Sequence, residues 1–186
     1  MVHVLIIEDD PGIRTALTRA LQSRGHAVDS APDGLSGLQS LLTQEPEAVI
    51  LDLGLPDVSG ERLLGMIRAA SAVPVIVATA RDDEGLIVEL LDAGADDYVV
   101  KPYDPAQLEA RVRAVLRRAG AAAEDDQRSA VVTVGGLSVD PARRTAEIDG
   151  SPLDLTRLEF DVLAYLAQNP GRVVSRKELL REVWQR

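Results

Sequence analysis

The chain contains no cysteine, which removes disulfides, thiolate metal sites and thiol nucleophiles from consideration. Aromatic residues are scarce at 3%, with one Trp and one Phe, so a core must be filled by aliphatic side chains. No apolar run is long enough to span a bilayer. The opening MVHVLIIEDD joins a short apolar stretch to acids, the pattern of a buried strand and not of a secretory leader. From these absences we expect a soluble, cytoplasmic protein without membrane association.

Positive charge is also in short supply: 20 Lys and Arg stand against 30 Asp and Glu, a net charge of −10. The deficit is uneven. Residues 1–119 carry a net −8, residues 120–129 a net −2, and residues 130–186 balance to zero. An acidic front half is a poor nucleic-acid binder, because phosphates need cationic neutralisation. At 186 residues the chain can hold one large domain or two small ones.

What is present over residues 1–118 is an alternation. VHVLII, the segment near His26–Ser30, EAVIL, VPVIVA and DDYVV read as strands, and the stretches near 12–24, 34–44, 60–70, 83–93 and 104–118 read as helices. Five such repeats predict an α/β fold with a doubly wound five-stranded parallel sheet. Near-continuous Val, Ile and Leu in three strands fits a sheet covered on both faces. GAAAEDDQRSA, with nothing to bury, then predicts a linker over 119–130, although its alanines could extend the helix. Beyond it, VVTVGGLSVD and ARRTAEIDGSPL predict short antiparallel strands joined by Gly-Gly, Asp-Pro and Asp-Gly turns. LTRLEFDVLAYLAQNPG and SRKELLREVW read as helices opened by capping boxes at Thr156–Glu159 and Ser175–Glu178.

In a doubly wound sheet, ligands bind beyond the carboxyl ends of the strands. Those ends carry Glu8, Asp9 and Asp10 on the first strand, Asp52 on the third, Thr79 on the fourth, and Lys101 after the fifth. Asp10, followed by Pro11, is better read as a helix start. Clustered carboxylates repel unless a cation sits among them, and an all-oxygen set suits a hard ion such as Mg2+, or Mn2+ in its place. Asp52 stands alone on the central strand while Glu8 and Asp9 can share the metal, which makes Asp52 the best nucleophile. Thr79 and Lys101 are placed to stabilise charge on a transferring phosphoryl group. His3 and His26 lie at strand starts, away from this edge, and suit neither donor nor acceptor.

IIEDD, the LDLGLPDVSG loop, the ATAR segment and GADDYVVKPY together resemble the receiver domain of two-component response regulators, a flavodoxin-like sheet of order 2-1-3-4-5. That resemblance implies phosphorylation of Asp52 by a sensor histidine kinase. It implies Mg2+ held by Asp9, Asp52 and the Gly54 backbone carbonyl, with Glu8 acting through water, and Thr79 and Lys101 contacting the phosphoryl group. Tyr98 matches an aromatic switch that turns inward with Thr79. A homodimer through the fourth helix, fifth strand and fifth helix is implied as well. Asp97 and Arg111 match its pairing positions, with Asp96 and Arg118 as weaker candidates. Ile87 and Gln107 stand where the family usually has an ion pair, so the dimer is expected to lean more on apolar contact.

Residues 131–186 resemble the start of an OmpR/PhoB-type winged-helix effector domain: a four-stranded sheet and two helices. The family continues with a basic recognition helix and a wing, which the sequence to Arg186 does not contain. DNA binding is therefore expected of the intact protein, and no DNA-contacting residue is expected within residues 131–186. Leu179, Val183 and Trp184 would then be exposed. Two enzyme classes fit less well. Haloacid-dehalogenase-type phosphatases need a second Asp two residues after the nucleophile, where this chain has Gly54. Dinucleotide enzymes need a G-x-G-x-x-G after the first strand, which is missing. We expect no dedicated substrate turnover beyond slow self-dephosphorylation.

Overall fold

A computed structural model describes residues 1–80, 84–124 and 131–184. Contacts divide the chain into two compact units, Met1–Arg113 and Ala114–Arg186. In the first, β1 (His3–Ile7), α1 (Pro11–Gln22), β2 (Ala27–Ala31), α2 (Gly34–Gln44), β3 (Ala48–Asp52), α3 (Gly60–Ala70), β4 (Val75–Thr79), α4 (Glu84–Asp92), β5 (Asp97–Val100) and α5 (Pro105–Glu124) follow in turn. The strands form one parallel sheet in the order β2-β1-β3-β4-β5. The parallel sheet is the one the alternation predicts, and its order is the one the receiver resemblance implies.

Every residue of β3 and β4 is buried, as are four of the five in β1. Leu5, Ile7, Val49, Leu51, Val75 and Val77 share one core with Leu41 of α2 and Leu63, Leu64 and Ile67 of α3. Each such side chain contributes about 1.5–3 kcal/mol by leaving water. The three central strands are thus held rigidly, and so are the polar residues at their carboxyl ends. α2 lies so close to β1 that a Cβ on Gly37 would sit 2.5 Å from Ile7 Cδ1.

Of the two readings of the residues after Arg118, the helical one holds for the first six. α5 runs on to Glu124, because the alanines after Arg118 extend a helix readily. Half of the expected linker is therefore helical, and its remainder, residues 125–130, lies outside the described residues.

The second unit holds β6 (Val132–Val134), β7 (Leu137–Asp140), β8 (Thr145–Ile148) and β9 (Ser151–Pro152) in one antiparallel sheet of sequential order. Asp149 and Gly150 turn between β8 and β9 with φ of 49° and 80°, the left-handed pair that a tight hairpin requires. α6 (Arg157–Ala167) opens with both halves of the capping box: Thr156 accepts from the Glu159 backbone N–H, and Glu159 accepts from that of Thr156. Its Phe160 packs with Val139 and Ala146 of the sheet.

The last helix differs from expectation. α7 (Arg176–Leu179) passes into a π-helical turn, Leu180–Trp184. Ser175 does cap Glu178 N–H at 3.2 Å, but the Glu178 carboxylate accepts from Tyr165 Oη at 2.8 Å and from Arg172. That leaves half a box where the spacing suggested a whole one. Val183 is buried at 4% exposure, against the expectation that it would be exposed.

Candidate functional site

β1 carries Glu8 and Asp9 just past its end, and β3, its neighbour in the sheet, finishes on Asp52. One carboxylate oxygen from each of the three lies within 4.8 Å of the others. Glu8 and Asp52 are buried, and Asp9 is exposed. Lys101 follows β5 and reaches across the edge, with its Nζ 2.9 Å from Glu8 Oε2 and 3.1 Å from Asp52 Oδ2. Thr79 ends β4 and is 2% exposed, and its carbonyl accepts from Lys101 N–H at 2.7 Å. The backbone of Gly54 runs beside Asp52: a Cβ there would stand 3.5 Å from Asp52 Oδ2.

Burial is the strongest influence on Glu8 and holds its carboxyl above the usual range, outweighing the Lys101 hydrogen bond, while the Asp52 charge pushes the same way. For Lys101, burial works against the ammonium, but the bonds to Glu8 and Asp52 prevail and its pKa is raised. The Lys101 shift reflects the negative charge gathered at this edge, and the Glu8 shift reflects mainly its burial there. Three oxygen donors, one of them open to solvent, fit a hard divalent ion that keeps part of its hydration shell.

Residues that composition and periodicity did not single out complete the surroundings. Arg14 on α1 donates to the carbonyls of Glu8 and Asp9 at 2.7 and 3.0 Å, fixing the turn that carries both acids. Asp57, in the loop after β3, accepts from the backbone N–H groups of Gly34 and Leu35 at the start of α2, at 2.8 and 2.9 Å. Tyr103 places a hydroxyl with no hydrogen-bond partner in the interior. Burial pushes its pKa up to about 12. Asp10 caps α1 through Ile13 N–H at 2.9 Å, in line with reading it as a helix start.

The remaining candidates divide. Asp97 is buried and pairs with Arg111 of the same chain at 2.9 Å, and the Arg111 guanidinium lies 5.9 Å from the half-buried Tyr98 ring. Ile87 is half-buried on α4 beside Val88, which is 55% exposed, and Gln107 is exposed on α5. Asp96 is as buried as Asp97 and, like it, pairs within the chain. It lies at the opposite edge of the sheet, 4% exposed, with its carboxylate bound to Arg68 at 2.7 Å and to Val75 N–H at 2.8 Å. Arg118 is 9% exposed, in the part of α5 that groups with the second unit, and does not offer a free cation at the surface either. His3 binds Asp29 at 2.6 Å. His26 Nε2 is 3.7 Å from Glu109, and both residues are away from the acidic edge.

Among the described residues no helix is long and apolar enough to cross a membrane. Residues 4–113 match the response regulator receiver domain, and residues 150–186 match the C-terminal domain of transcriptional regulatory proteins. The chain is 45% identical to the transcriptional regulatory protein CseB of Streptomyces coelicolor, over 98% of its own length and 81% of that protein. It is equally identical to KdpE of Mycobacterium tuberculosis, over 99% and 80%. Among solved structures it resembles DrrB, an OmpR/PhoB homologue of Thermotoga maritima, with a TM-score of 0.60, 32% identity and coverage of 100% and 81%. It also resembles the BeF3-activated receiver domain of RstA from Klebsiella pneumoniae, with a TM-score of 0.59, 30% identity and coverage of 62% and 98%. The chain belongs to the response regulators of the OmpR/PhoB family, pairing a receiver domain with the DNA-binding domain of a transcriptional regulator.

Proposed function

We propose that Asp52 accepts a phosphoryl group from the phosphohistidine of a sensor histidine kinase. The observation that carries this reading is the convergence of Glu8, Asp9, Asp52 and Lys101 on one sheet edge, with the ammonium 3.1 Å from the acceptor. An oxygen of the Asp52 carboxylate forms the new O–P bond, the N–P bond to the donor imidazole breaks, and that imidazole leaves with a proton from solvent. Lys101 neutralises charge on the equatorial phosphoryl oxygens, and the Thr79 hydroxyl donates to one of them. Asp9, Asp52 and the Gly54 carbonyl would hold Mg2+, with Glu8 acting through water; when bound, it supplies the positive charge that lets a dianion approach three carboxylates.

Nothing in this arrangement is a general acid for a separate substrate, because Gly54 occupies the place where an aspartate would serve. Slow hydrolysis of the acyl phosphate is the only turnover we assign. The RstA receiver was captured in a BeF3-activated form, and BeF3− stands in for a phosphoryl group; the same site chemistry is read here. Phosphorylation would draw Thr79 and Tyr98 inward and shift a two-state equilibrium of α4 and β5. The face of α4, β5 and α5 would then pair with a second copy through Asp97, Arg111 and Ile87, placing two DNA-binding domains on adjacent half-sites in the cytoplasm.

The test is incubation with Mg2+ and acetyl phosphate, followed by intact-mass measurement of wild type and Asp52→Asn. A gain of one phosphoryl group in the wild type alone is expected. Equal labelling of both, or of neither, removes the assignment.

A further inference from the structure

The loop between β3 and α3 carries Asp52 at its root and Gly54 just beyond, and it is fastened at two places. At its base the start of α3 presses on it: a Cβ on Gly60 would stand 2.5 Å from Leu53 Cα, and Leu53 N–H continues the sheet onto Ala78 at 3.2 Å. At its far tip Val58 packs against the core, and a polar contact ties the exposed side of the tip to α2. The exposed Asp57 carboxylate spans the first two N–H groups of α2, one oxygen on Gly34 at 2.8 Å and the other on Leu35 at 2.9 Å. Those bonds hold the carboxyl below its usual range. The approach is close, since a Cβ on Gly34 would fall 2.3 Å from Val58 Cγ1. α2 does not need this carboxylate as its cap, because Asp33 already accepts from Ser36 N–H at 2.8 Å.

We propose that Asp57 is a positioning residue for the metal site, tying the β3–α3 loop to the start of α2 so that the Gly54 carbonyl and Asp52 are held in register with Asp9. This rests on the phosphoryl-acceptor reading above. Gly54 is exposed and has no side chain to pack; Leu53 and Leu55 on either side of it pack against the core, and Asp57 adds the tie that sets the loop's far end against α2. α2 in turn lies tightly on β1 through Gly37 and Ile7, the strand that delivers Glu8 and Asp9. Asp57 therefore connects the two strand tips that share the ion by a route outside the sheet.

The experiment compares Mg2+ affinity by titration calorimetry in wild type, Asp57→Ala, Asp57→Asn and Asp33→Ala, with thermal unfolding of each. Asp33→Ala removes a bond of the same kind from the same helix end but leaves the loop tied. Loss of an outer-shell support typically weakens metal binding by about tenfold or more. We expect that order of loss in Asp57→Ala. Asp57→Asn, which keeps one acceptor oxygen, falls between it and wild type, and Asp33→Ala binds Mg2+ like wild type while unfolding earlier. The phosphorylation rate at saturating Mg2+ recovers in Asp57→Ala more than its affinity does. If Asp57→Ala binds Mg2+ like wild type, or Asp33→Ala weakens binding as much, the positioning role is overturned while the acceptor assignment stands. If wild type itself does not bind Mg2+, the acceptor assignment falls and this inference with it.

Discussion

Replacing Lys101 by Met removes the cation that the structure sets between Glu8 and Asp52, at 2.9 and 3.1 Å. At an effective dielectric of about 20, each contact gains about 5 kcal/mol. Desolvation of the ammonium takes back several kcal/mol, and the side chain keeps 20% exposure, which screens the rest. A net loss of about 3 kcal/mol is the expectation, or a fall of roughly 10 °C in the unfolding midpoint of a unit this size. The sign with pH follows from Glu8. Its folded pKa is raised, so its contribution is full below the unfolded carboxyl value and is lost as pH rises through the folded one. Without Lys101 that penalty grows, so the deficit is small in acid and largest at neutral pH. Lys101 itself keeps its contribution up to its unfolded value of 10.5 and loses it only above that, as pH rises through its raised folded pKa. Calorimetric unfolding in chelator, repeated across the acid-to-neutral range, reads this directly. Added Mg2+ should return part of the loss, since binding to the folded state alone stabilises it. A Lys101→Met protein that unfolds with wild type at neutral pH in chelator, or with a deficit independent of pH, refutes the reasoning.

Arg68→Ala should lower stability by about 3 kcal/mol in urea unfolding, because Arg68 bonds Gly94, Val73 and the buried Asp96 at once; Arg68→Lys should recover little, as an ammonium lacks the planar fork. Tyr103→Phe should leave stability unchanged or raise it by up to about 1 kcal/mol, since the lost hydroxyl has no partner, and a marked drop in urea midpoint would show otherwise. Arg111→Glu should separate from Asp97 within the chain and weaken phosphorylation-dependent dimers in sedimentation, whereas unchanged dimers would remove Arg111 from the proposed face.

Strand ends were legible because apolar runs have sharp borders. EAVIL and VPVIVA fall within two residues of the observed Ala48–Asp52 and Val75–Thr79, and a parallel sheet turns their carboxyl borders into one edge. Residues whose partners are distant in sequence were not legible. Asp96 looks like a surface acid until Arg68, 28 residues earlier, is seen to hold it. Asp57 looks like a turn residue until α2 is folded beside it. The Ser175–Glu178 spacing is genuine, yet Tyr165 and Arg172 draw the glutamate elsewhere. The end of α5 stayed open between linker and helix because alanines have no apolar period to mark where a helix stops.

The contact between Lys101 and Glu8 joins positions 93 residues apart, and β1 must slot between β2 and β3 before Asp9 meets Asp52. Chemical competence is therefore a property of the finished sheet and of no fragment of it. A ribosome-bound chain lacking its fifth strand holds Asp52 but not the ammonium, so on the proposed reading labelling by a small phosphodonor would report completion of this unit as sharply as any probe of folding.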